Sequence, residues 1–477
     1  MDNLERANKL SFKEKYIGDK KFYRIVFILV LPIILQQLFI SLSGYIDNIM
    51  ISGYGEKANI GGSYVSAAYS GVAAANRLMF IFNFFWLGLA ATASIFIAQY
   101  FGAKKRKELR ESSMLSVYFA IIFGVFGTIL LSLFGHKGID SLVINQQIRD
   151  YGYSYIDMLK WGAPLIALEM AFSSMYRSIK KPTITLFISI IGILINATLN
   201  FCLIYGMLWF PEMGAAGAAV GTIISRAVKV LLYISLILFG RESMLKGMFK
   251  ELKIPKKLII ESIKKGLPIV FNEVLFSFAL ILYSKYFSYH NDIWFSSYSY
   301  SQNISDLFLI LIGGLGAGCS ILVGEALGQG DFKYAEQVHY RFKFLGIIFG
   351  LLVGVLMAAS SPLTVIMFGL EGEVKALTIN LLIAQGVFVF LYLYNTINFF
   401  TLRSGGDSLR AFLLDQLPTY LVGLPVAIIL GINASTIGIN IVFIFVVSHI
   451  TDLIKIVIGD RFIKKGKWIV NLTTEKL

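Results

Sequence analysis

Long apolar segments separated by short polar ones run along the whole chain. Twelve of them are about 20 residues or longer, which is the length of helix that crosses the hydrocarbon core of a bilayer. We therefore predict an all-α polytopic membrane protein with twelve transmembrane helices. The predicted spans are 23–52, 64–99, 113–135, 151–176, 183–207, 214–239, 258–286, 294–327, 344–369, 376–401, 409–431 and 434–459.

The connections between these spans alternate in charge. Basic clusters occupy the N-terminal segment, alternate connections such as "GAKKRKELR" and "YRSIKKP", and the tail, whereas the opposite connections hold few cations. Basic connections stay on the cytoplasmic side of a membrane, so we predict that both termini are cytoplasmic and that the protein lies in the plasma membrane. The charged N-terminus has no apolar core, so we do not expect a secretory signal.

Composition supports a membrane protein. Of the 477 residues, 56% are hydrophobic and only 15% are charged, whereas about a quarter is usual in soluble domains. The net charge of +14 lies mainly in the connections, where it suits anionic lipid head groups, so nucleic acid is not an expected partner. Cys202 and Cys319 lie in apolar segments and are interpreted as buried small hydrophobes. We expect no enzyme and no cofactor, because no nucleotide loop, metal-ligand spacing or catalytic triad is present in the sequence.

The two halves of the chain repeat one another. "GLAATASIFIAQYFG" from Gly88 matches "GLGAGCSILVGEALG" from Gly314, and "LPIILQQLF" from Leu31 matches "GLPIVFNEVLF" from Gly266. Each half holds six spans. Because an even number of crossings returns the chain to the side where it started, both halves have the same orientation. The pattern therefore predicts a parallel repeat about an axis along the membrane normal.

This repeat predicts the domain organisation. We expect an N-terminal six-helix lobe at 1–240, a cytoplasmic linker at 241–257 and a C-terminal six-helix lobe at 258–477. Two such lobes, facing one another across a V-shaped central cleft, suit a transporter that opens to each side in turn.

The repeated stretches resemble those of the multidrug and toxic compound extrusion (MATE) transporters of the multidrug/oligosaccharidyl-lipid/polysaccharide exporter superfamily. The resemblance is carried by the helix from Pro32 to Asp47, by "ANRLMFIFNFFWLGLAATASIFIAQYFGAKK" and by "MYRSIKKPTITLFISIIGILINATLNFCLIYG". The paired "PEMGAAGAAVGTIISR" and "TLRSGGDSLRAFLLDQLPTYLVGLPVAIIL" complete it. It covers nearly the whole chain and implies a twelve-helix exporter of organic, often cationic, compounds, driven by inward flow of protons or sodium ions.

Asp47 is an acid inside the first predicted membrane span. It lies 23 residues after Arg24, about 35 Å of helix, and therefore in the outer half of the bilayer. Asn196 and Asn200 share one face of the fifth span and lie at a compatible depth. Loss of water favours the neutral form of a carboxyl group, so Asp47 can take up a proton, and with amide oxygens beside it the acid can instead hold sodium. An acid that reaches outer water, with asparagines that only join helices, is the structural alternative.

The resemblance assigns these residues to a cation site. The family's amino-lobe site pairs a first-helix aspartate with fifth-helix residues, and Asp47, Asn196 and Asn200 occupy matching positions. Some relatives carry an aspartate in place of Asn200, so the lone carboxylate here favours a proton over sodium. Pro32 removes a helix hydrogen bond and permits a bend, which the family links to protonation. A proline in the first turn of the helix is the simpler interpretation.

Further polar and aromatic residues are candidates for the substrate cavity. Glu273, opposite Gln37 in the repeat, either attracts cations or forms a structural pair. Other family branches use a seventh-helix glutamate with a tenth-helix aspartate, whereas the tenth span here offers Asn395 and Asn398. The predicted cavity residues are Gln36, Gln37, Glu273, Asn395, Asn398, Met79, Phe82 and Tyr392.

Charged residues in other spans predict structural ion pairs. Glu169, Arg226 and Lys229 fall in the same inner half of the membrane, and a buried ion pair is the first interpretation, ahead of a role in transport. The repeat places Asn395 opposite Glu169, and His449 and Asp452 opposite the two cations. His449 and Asp452 are therefore interpreted as the C-terminal version of this contact between helices.

The sequence is compatible with three functions. The first is a monomeric exporter of small organic cations in contact with membrane lipids. The second is a flippase for lipid-linked sugars or precursors, which would need a strongly basic cavity, whereas the mid-membrane cations are only Lys160, Arg226, Lys229 and Lys455. A sensor or channel is the third, and the two-lobe pattern disfavours it.

Overall fold

The structure is a computed structural model that describes residues 11–55, 57–60, 63–240 and 244–474. The first ten residues of the predicted cytoplasmic N-terminus and residues 241–243 of the predicted linker lie outside this range.

The first half of the chain is helical apart from one short hairpin. Its elements are α1 (Phe12–Tyr16), α2 (Lys20–Ser52), β1 (Lys57–Ile60), β2 (Ser63–Ser66), α3 (Ala67–Gly102), α4 (Arg106–Leu142), α5 (Gln146–Leu159), α6 (Ala163–Ser178), α7 (Pro182–Tyr205) and α8 (Gly214–Phe239). A 3₁₀ turn at Lys160–Gly162 joins α5 to α6, and a second lies at Met248–Lys250.

The second half repeats the long helices. Its elements are α9 (Lys256–Phe287), α10 (Asp292–Gln329), α11 (Phe332–Ala359), α12 (Ser361–Phe368), α13 (Gly372–Ser404), α14 (Ser408–Pro418), α15 (Leu424–Ile437), α16 (Ile441–His449) and α17 (Thr451–Lys464). A π-helical turn at Thr419–Gly423 continues α14 into α15.

The predicted all-α membrane fold is confirmed. Eleven helical segments in the described part of the chain are long and apolar enough to cross a membrane. The fourth predicted span, 151–176, is built from α5, the 3₁₀ turn and α6, each of which is too short to cross alone. The composite segment Gln146–Ser178 supplies the twelfth span.

Several boundaries differ from the prediction. The twelfth span begins at Ile441 rather than 434, because residues 434–437 still belong to α15. The second span begins at Ala67 rather than 64, because the preceding residues pair as an antiparallel hairpin in which Lys57 lies opposite Ser66. The ninth predicted span, 344–369, is broken after Ala359, where Pro362 enters the first turn of α12. Proline has no N–H to continue the hydrogen bonds of the preceding helix.

Pro32 lies inside a helix. Because α2 begins at Lys20, twelve residues earlier, the first-turn interpretation of this proline is wrong. Pro268, its counterpart in the repeat, also lies inside its helix, α9. Each proline therefore removes one backbone hydrogen bond from the middle of a membrane helix.

The described chain forms two compact units. Unit 1 contains the chain up to Ile34, Ala98–Lys104 and Leu267–Leu477, and unit 2 contains Leu35–Ile97 and Lys105–Gly266. The division falls two residues after Pro32 in α2 and directly before Leu267-Pro268 in α9. The lobes at 1–240 and 258–477 come from the sequence repeat and remain a prediction.

Apolar side chains occupy both the inside and the outside of these units. In unit 1, Val30, Leu322, Phe342 and Leu393 belong to one buried cluster of α2, α10, α11 and α13. Large aliphatic residues such as Leu133, Leu194, Leu231 and Val355 are exposed on their helices. A helix that is apolar all round is typical of a membrane span, because lipid tails replace water around it.

Candidate cation-coupling site

Asp47 of α2 faces two amide side chains of α7. Nδ2 of Asn200 donates a hydrogen bond of 2.8 Å to Oδ1 of Asp47. With its amide nitrogen turned towards Asp47, Asn196 donates at 3.0 Å to Oδ1 and 3.3 Å to Oδ2, while its oxygen accepts from the Thr222 N–H at 3.3 Å. The sequence prediction that these three residues lie together therefore agrees with the geometry.

A half-turn of the Asn196 amide gives a second arrangement. Its nitrogen then donates to Oδ1 of Asn200 at 3.5 Å and to Oγ1 of Thr222 at 3.4 Å, and its oxygen faces Asp47. An ionised carboxylate accepts hydrogen bonds but donates none, so it favours the first arrangement. A protonated Asp47 has an O–H to donate and is compatible with the second.

Two glycines make room for this site. A Cβ on Gly221 of α8 would overlap Oδ1 of Asn200, so only glycine lets the amide of the neighbouring helix lie here. A Cβ on Gly192 of α7 would lie 2.5 Å from Cδ of Lys229. The small residues thus allow α7 and α8 to approach closely enough to bury polar side chains between them.

The Asp47 carboxylate lines a cavity of about 300 Å³ within unit 2. Asn196, Asn200 and Met79, all predicted from the sequence, also line it, as do Arg226 and Lys229. Sequence reasoning missed the remaining polar residues of its wall, which include Asn48, Asn76, Asn83, Tyr155, Thr222 and Ser225.

Helical spacing could have found several of the missed residues. Asn76 and Asn83 lie seven residues apart with Met79 between them, so all three share one face of α3. In the same way Thr222 lies four residues before Arg226 on α8 and therefore shares its face. Tyr155 gave no comparable signal, and the structure shows its hydroxyl donating to Oδ1 of Asn76 at 3.3 Å.

Asp47 carries no ion pair within the described part of the chain. The two cations of its cavity, Arg226 and Lys229, are both held by Glu169 of α6. Arg226 donates to Oε2 of Glu169, and Nζ of Lys229 lies 3.4 Å from Oε1. Glu169 and Lys229 are only 4% and 5% exposed. The predicted buried ion pair is therefore present, and it joins one carboxylate to two cations.

Gln36 and Phe82 were expected in the substrate cavity, and the structure places them outside the cavity of unit 2. Gln36 is buried, donates to Ser189 at 2.9 Å and to Ser173 at 3.3 Å, and accepts from Thr185 at 2.9 Å. Its hydrogen bonds are satisfied by neighbouring helices. The ring of Phe82 packs against Trp86 instead of the cavity, and the half-buried Gln37 does not line it either.

Glu273 in unit 1 has a different environment. Its carboxylate lies 3.3 Å from Nη1 of Arg403, and the two side chains are only 12% and 8% exposed. The guanidinium also lies 5.3 Å from the ring centre of Phe400. Of the two interpretations of Glu273, structural pairing is the one that the geometry supports.

A second ion pair lies in the same unit. Nζ of Lys455 lies 2.8 Å from Oδ1 of Asp415, and Asn272, the neighbour of Glu273, donates to Oδ2 of Asp415 at 3.2 Å. Gln416 donates to Oδ1 of Asn272 at 3.0 Å. Sequence reasoning named Lys455 only as a mid-membrane cation and missed Arg403 and Asp415.

The predicted interhelical lock of His449 and Asp452 is not formed by their side chains, and Asn395 donates to the backbone carbonyl of Asp452 instead. Nδ1 of His449 contacts the Phe445 carbonyl at 2.9 Å, and its ring stacks on the Phe445 ring. The ion pair of this region is the one between Lys455 and Asp415, because Lys455, three residues after Asp452, reaches α14.

The remaining predicted cavity residues, all on α13, have different contact partners. Asn395 donates to the Asp452 carbonyl at 2.9 Å, whereas Asn398 donates to Oδ1 of Asp460 at 3.1 Å. Tyr392 is half-buried and packs against the apolar core of unit 1. Glu273, Asn395 and Asn398 therefore do not form a joint ligand set.

Asp306 of α10 is a further membrane acid that sequence reasoning missed. It accepts a hydrogen bond of 2.7 Å from Gln302, four residues earlier on the same helix, and it is exposed. Among the described residues, its hydrogen-bond partner lies on its own helix, whereas Asp47 is bound by another helix.

Comparison with known proteins identifies the family. The MatE family model matches residues 32–202 and again 268–429, once in each half of the chain. The probable multidrug resistance proteins NorM of Pasteurella multocida and Thermotoga maritima are 26% and 23% identical to this chain, covering 83% and 88% of it and 84% and 89% of their own lengths.

A solved structure with this fold is the transporter of the MOP superfamily from Pyrococcus furiosus, described with a binding pocket of reverse polarity that suggests a different function. The two chains are 18% identical, and their structures match with a TM-score of 0.82 over 96% of this chain and 99% of the Pyrococcus furiosus chain. The likeness shows the fold. Since the family model covers most of both halves, the chain belongs to the MatE family of multi-span membrane transporters.

Proposed function

We propose that this protein is a multidrug exporter that expels small organic cations in exchange for protons, with Asp47 as the coupling residue. The observation that carries the proposal is the environment of Asp47, a membrane carboxylate that lines a cavity and is held by amides rather than by a cation. An acid without a fixed cation can exchange one from solution. The kinship with the NorM proteins supports multidrug efflux.

The charges around the cavity support antiport. When Asp47 is ionised, it and Glu169 balance Arg226 and Lys229, so the group is neutral overall. A proton on Asp47 leaves one positive charge in excess, which disfavours a bound organic cation. Proton and substrate thus favour different states, which is what coupling requires.

A proton is favoured over sodium by the hydrogen bonds of Asp47. Amide nitrogens face the carboxylate, as they do towards an anion. A sodium ion needs oxygen ligands, so both amides would have to turn their oxygens towards it. A proton needs at most the half-turn of the Asn196 amide, while Asn200 keeps its nitrogen towards Asp47.

The other features of the proposal concern location, assembly and cofactors. We propose that the chain lies in the plasma membrane as a monomer with cytoplasmic termini, and that it acts without an enzymatic step or a cofactor. Pro32 and Pro268 would allow α2 and α9 to bend as the cavity changes access.

Proteoliposomes loaded with ethidium test the proposal, with proton and sodium gradients imposed separately. We expect a proton gradient to drive extrusion by the natural chain and by Asp306→Asn, but not by Asp47→Asn. Asp306 provides the matched control, because it is a membrane aspartate outside the cavity of unit 2. Full extrusion by Asp47→Asn would remove Asp47 from the mechanism, and extrusion driven only by sodium would overturn the choice of ion.

A flippase for lipid-linked precursors is the second candidate, since the MOP relative from Pyrococcus furiosus is described as having a different function. Such a substrate carries pyrophosphate and needs cations that are free to bind it. Arg226 and Lys229 are already bound to Glu169, which favours the exporter. Translocation of a fluorescent polyprenyl-pyrophosphate sugar without ethidium transport would support the flippase instead.

A further inference from the structure

A second cavity lies in unit 1, apart from the Asp47 site. It has a volume of about 400 Å³ and lies between the short helix α1 and helices α11, α13 and α17. Aromatic rings form much of its wall, among them those of Tyr16, Tyr340, Phe344 and Tyr394. The transport proposal assigns no role to this cavity.

Charge at this cavity is strongly positive. Lys15, Lys343 and Lys464 line it, and Asp460 is the only acid among the described residues of its lining. Lys343 is bound to Asp460 at 2.7 Å, whereas neither Lys15 nor Lys464 takes part in an ion pair within the described chain. Two positive charges are therefore in excess among the lining residues, although Glu336, outside the lining, also attracts Lys15.

Two of these aromatic rings already form cation–π contacts with lysines of the cavity. Nζ of Lys15 lies 4.1 Å from the ring centre of Tyr340, and Nζ of Lys343 lies 4.0 Å from that of Tyr394. A cationic ligand would have to displace these lysines and would meet like charge. An anion is the ligand that the cavity favours.

An apolar stripe leads away from the cavity along α11. Phe344 and Ile347 line the cavity, and Ile348, Leu351 and Val355 follow at helical spacing on the same side. These three are 52%, 51% and 67% exposed, as expected of side chains that face lipid tails. The anion site is thus continuous with a surface that suits an acyl chain.

We propose that this cavity binds the head group of an anionic phospholipid, with an acyl chain along the stripe from Phe344 to Val355. Lys15 and Lys464 contact the phosphate, and α1 covers the head group. The cavity lies beside the N-terminal helix, so in the proposed topology the lipid comes from the cytoplasmic leaflet. Because the lipid is held by unit 1, its binding does not depend on Asp47.

Photocrosslinking in vesicles tests the site. The full chain is reconstituted in phosphatidylcholine with a trace of phosphatidylglycerol that carries a diazirine in its acyl chain, and labelled residues are mapped by peptide mass spectrometry. We expect labels between Phe344 and Val355. In the double variant Lys15→Gln/Lys464→Gln, we expect this labelling to fall about 30-fold, because each lysine near an anionic lipid surface contributes about 1 kcal/mol.

The chain offers a matched control. Lys13→Gln/Lys465→Gln removes the same charge from α1 and from the residue that follows α17, at positions outside the cavity lining, and should label like the natural chain. Equal losses in both double variants, or equal labelling by a phosphatidylcholine probe, would overturn the proposal. Excess glycerol 3-phosphate should not displace the lipid probe, and displacement would show a soluble-anion site instead. Ethidium extrusion by the Lys15/Lys464 variant should persist, which separates this proposal from the transport proposal.

Discussion

Asp47 and Glu273 are both acids in membrane helices, but their neighbours differ. The Asp47 carboxylate accepts hydrogen bonds from Asn200 and Asn196, whereas the Glu273 carboxylate lies 3.3 Å from the guanidinium of Arg403. Both arrangements satisfy the oxygens of an ionised acid. Only the arginine supplies a charge of its own, so Glu273 has a built-in cation and Asp47 does not.

The difference shows how one fold can hold acids of two kinds. Amides stabilise a carboxylate without neutralising it, which leaves its charge available to a mobile cation. A buried ion pair neutralises the charge and costs several kcal/mol to break. Glu169, paired with Arg226 and Lys229, belongs with Glu273 although it lies in the same unit as Asp47.

The strongest test of this contrast breaks the paired acid of unit 2. Glu169→Gln leaves Arg226 and Lys229 without their shared carboxylate, and we expect it to destabilise the fold by about 3–5 kcal/mol. Thermal unfolding in detergent measures the loss. Lys229→Met is the control, since Arg226 still holds Glu169 in that variant. A loss from Lys229→Met as large as that from Glu169→Gln would contradict a pair built around the acid.

The next test turns Glu273 into an acid of the Asp47 type. Arg403→Gln removes its cation, so we expect Glu273 to bind a proton and the stability of the variant to fall as the pH rises and the buried charge is restored. We expect no such pH dependence in Glu273→Gln/Arg403→Gln or in Arg403→Lys. The melting temperature of each variant between pH 6 and pH 9 measures this pH dependence. Identical pH profiles of Arg403→Gln and Glu273→Gln/Arg403→Gln would show that Arg403 does not neutralise Glu273.

A third change disturbs the amides while leaving Asp47 in place. Gly221→Ala places a methyl group where Oδ1 of Asn200 lies, so the amide must move away from Asp47. Hydrogen bonds to charged groups contribute about 1.5–3 kcal/mol, and we expect proton-driven ethidium extrusion to fall about tenfold or more. Gly313→Ala is the control, because a Cβ there meets no atom within 4 Å. Unchanged extrusion by Gly221→Ala would mean that the Asn200 amide is dispensable.

The smallest effect is expected at Thr222, whose hydroxyl group donates to the Ala218 carbonyl of its own helix and accepts from Asn196 only in the second arrangement of that amide. Thr222→Val removes only the hydroxyl group, which is worth about 0.5–1.5 kcal/mol, and should slow extrusion a few-fold. Thr198→Val serves as the control, since that hydroxyl bonds its own helix at Leu194 and is exposed. Equal effects of the two valine substitutions on the extrusion rate would show that the contact with Asn196 is unimportant.

Much of the environment of Asp47 could be predicted from the sequence, whereas that of Glu273 could not, for a physical reason. Long apolar segments and the i,i+4 spacing of Asn196 and Asn200 predicted the helices and one wall of the Asp47 site. The partner of Glu273 was missed, because Arg403 lies 130 residues away and no local pattern reports which helix faces another. The same limit applies to Lys455, whose partner Asp415 lies 40 residues earlier.

Helix breaks were predicted less well than helices. The division of the fourth span at Lys160–Gly162 was missed, although Gly162 and Pro164 mark the start of α6, because one glycine and one proline also occur inside continuous membrane helices such as α2 and α9. Pro32 was equally compatible with a helix start and a helix interior, because charged residues precede it by several turns. Only the start of α2 at Lys20 decides between them.

The central claim is that Asp47 is the acid that exchanges its cation for substrate. Calorimetry of ethidium binding in buffers of different ionisation enthalpy counts the protons released when the substrate binds. At a pH where Asp47 is protonated in the empty protein, we predict about one proton per ethidium for the natural chain and for Asp306→Asn, and none for Asp47→Asn. Undiminished proton release from folded Asp47→Asn, or its loss in Asp306→Asn alone, would contradict the account.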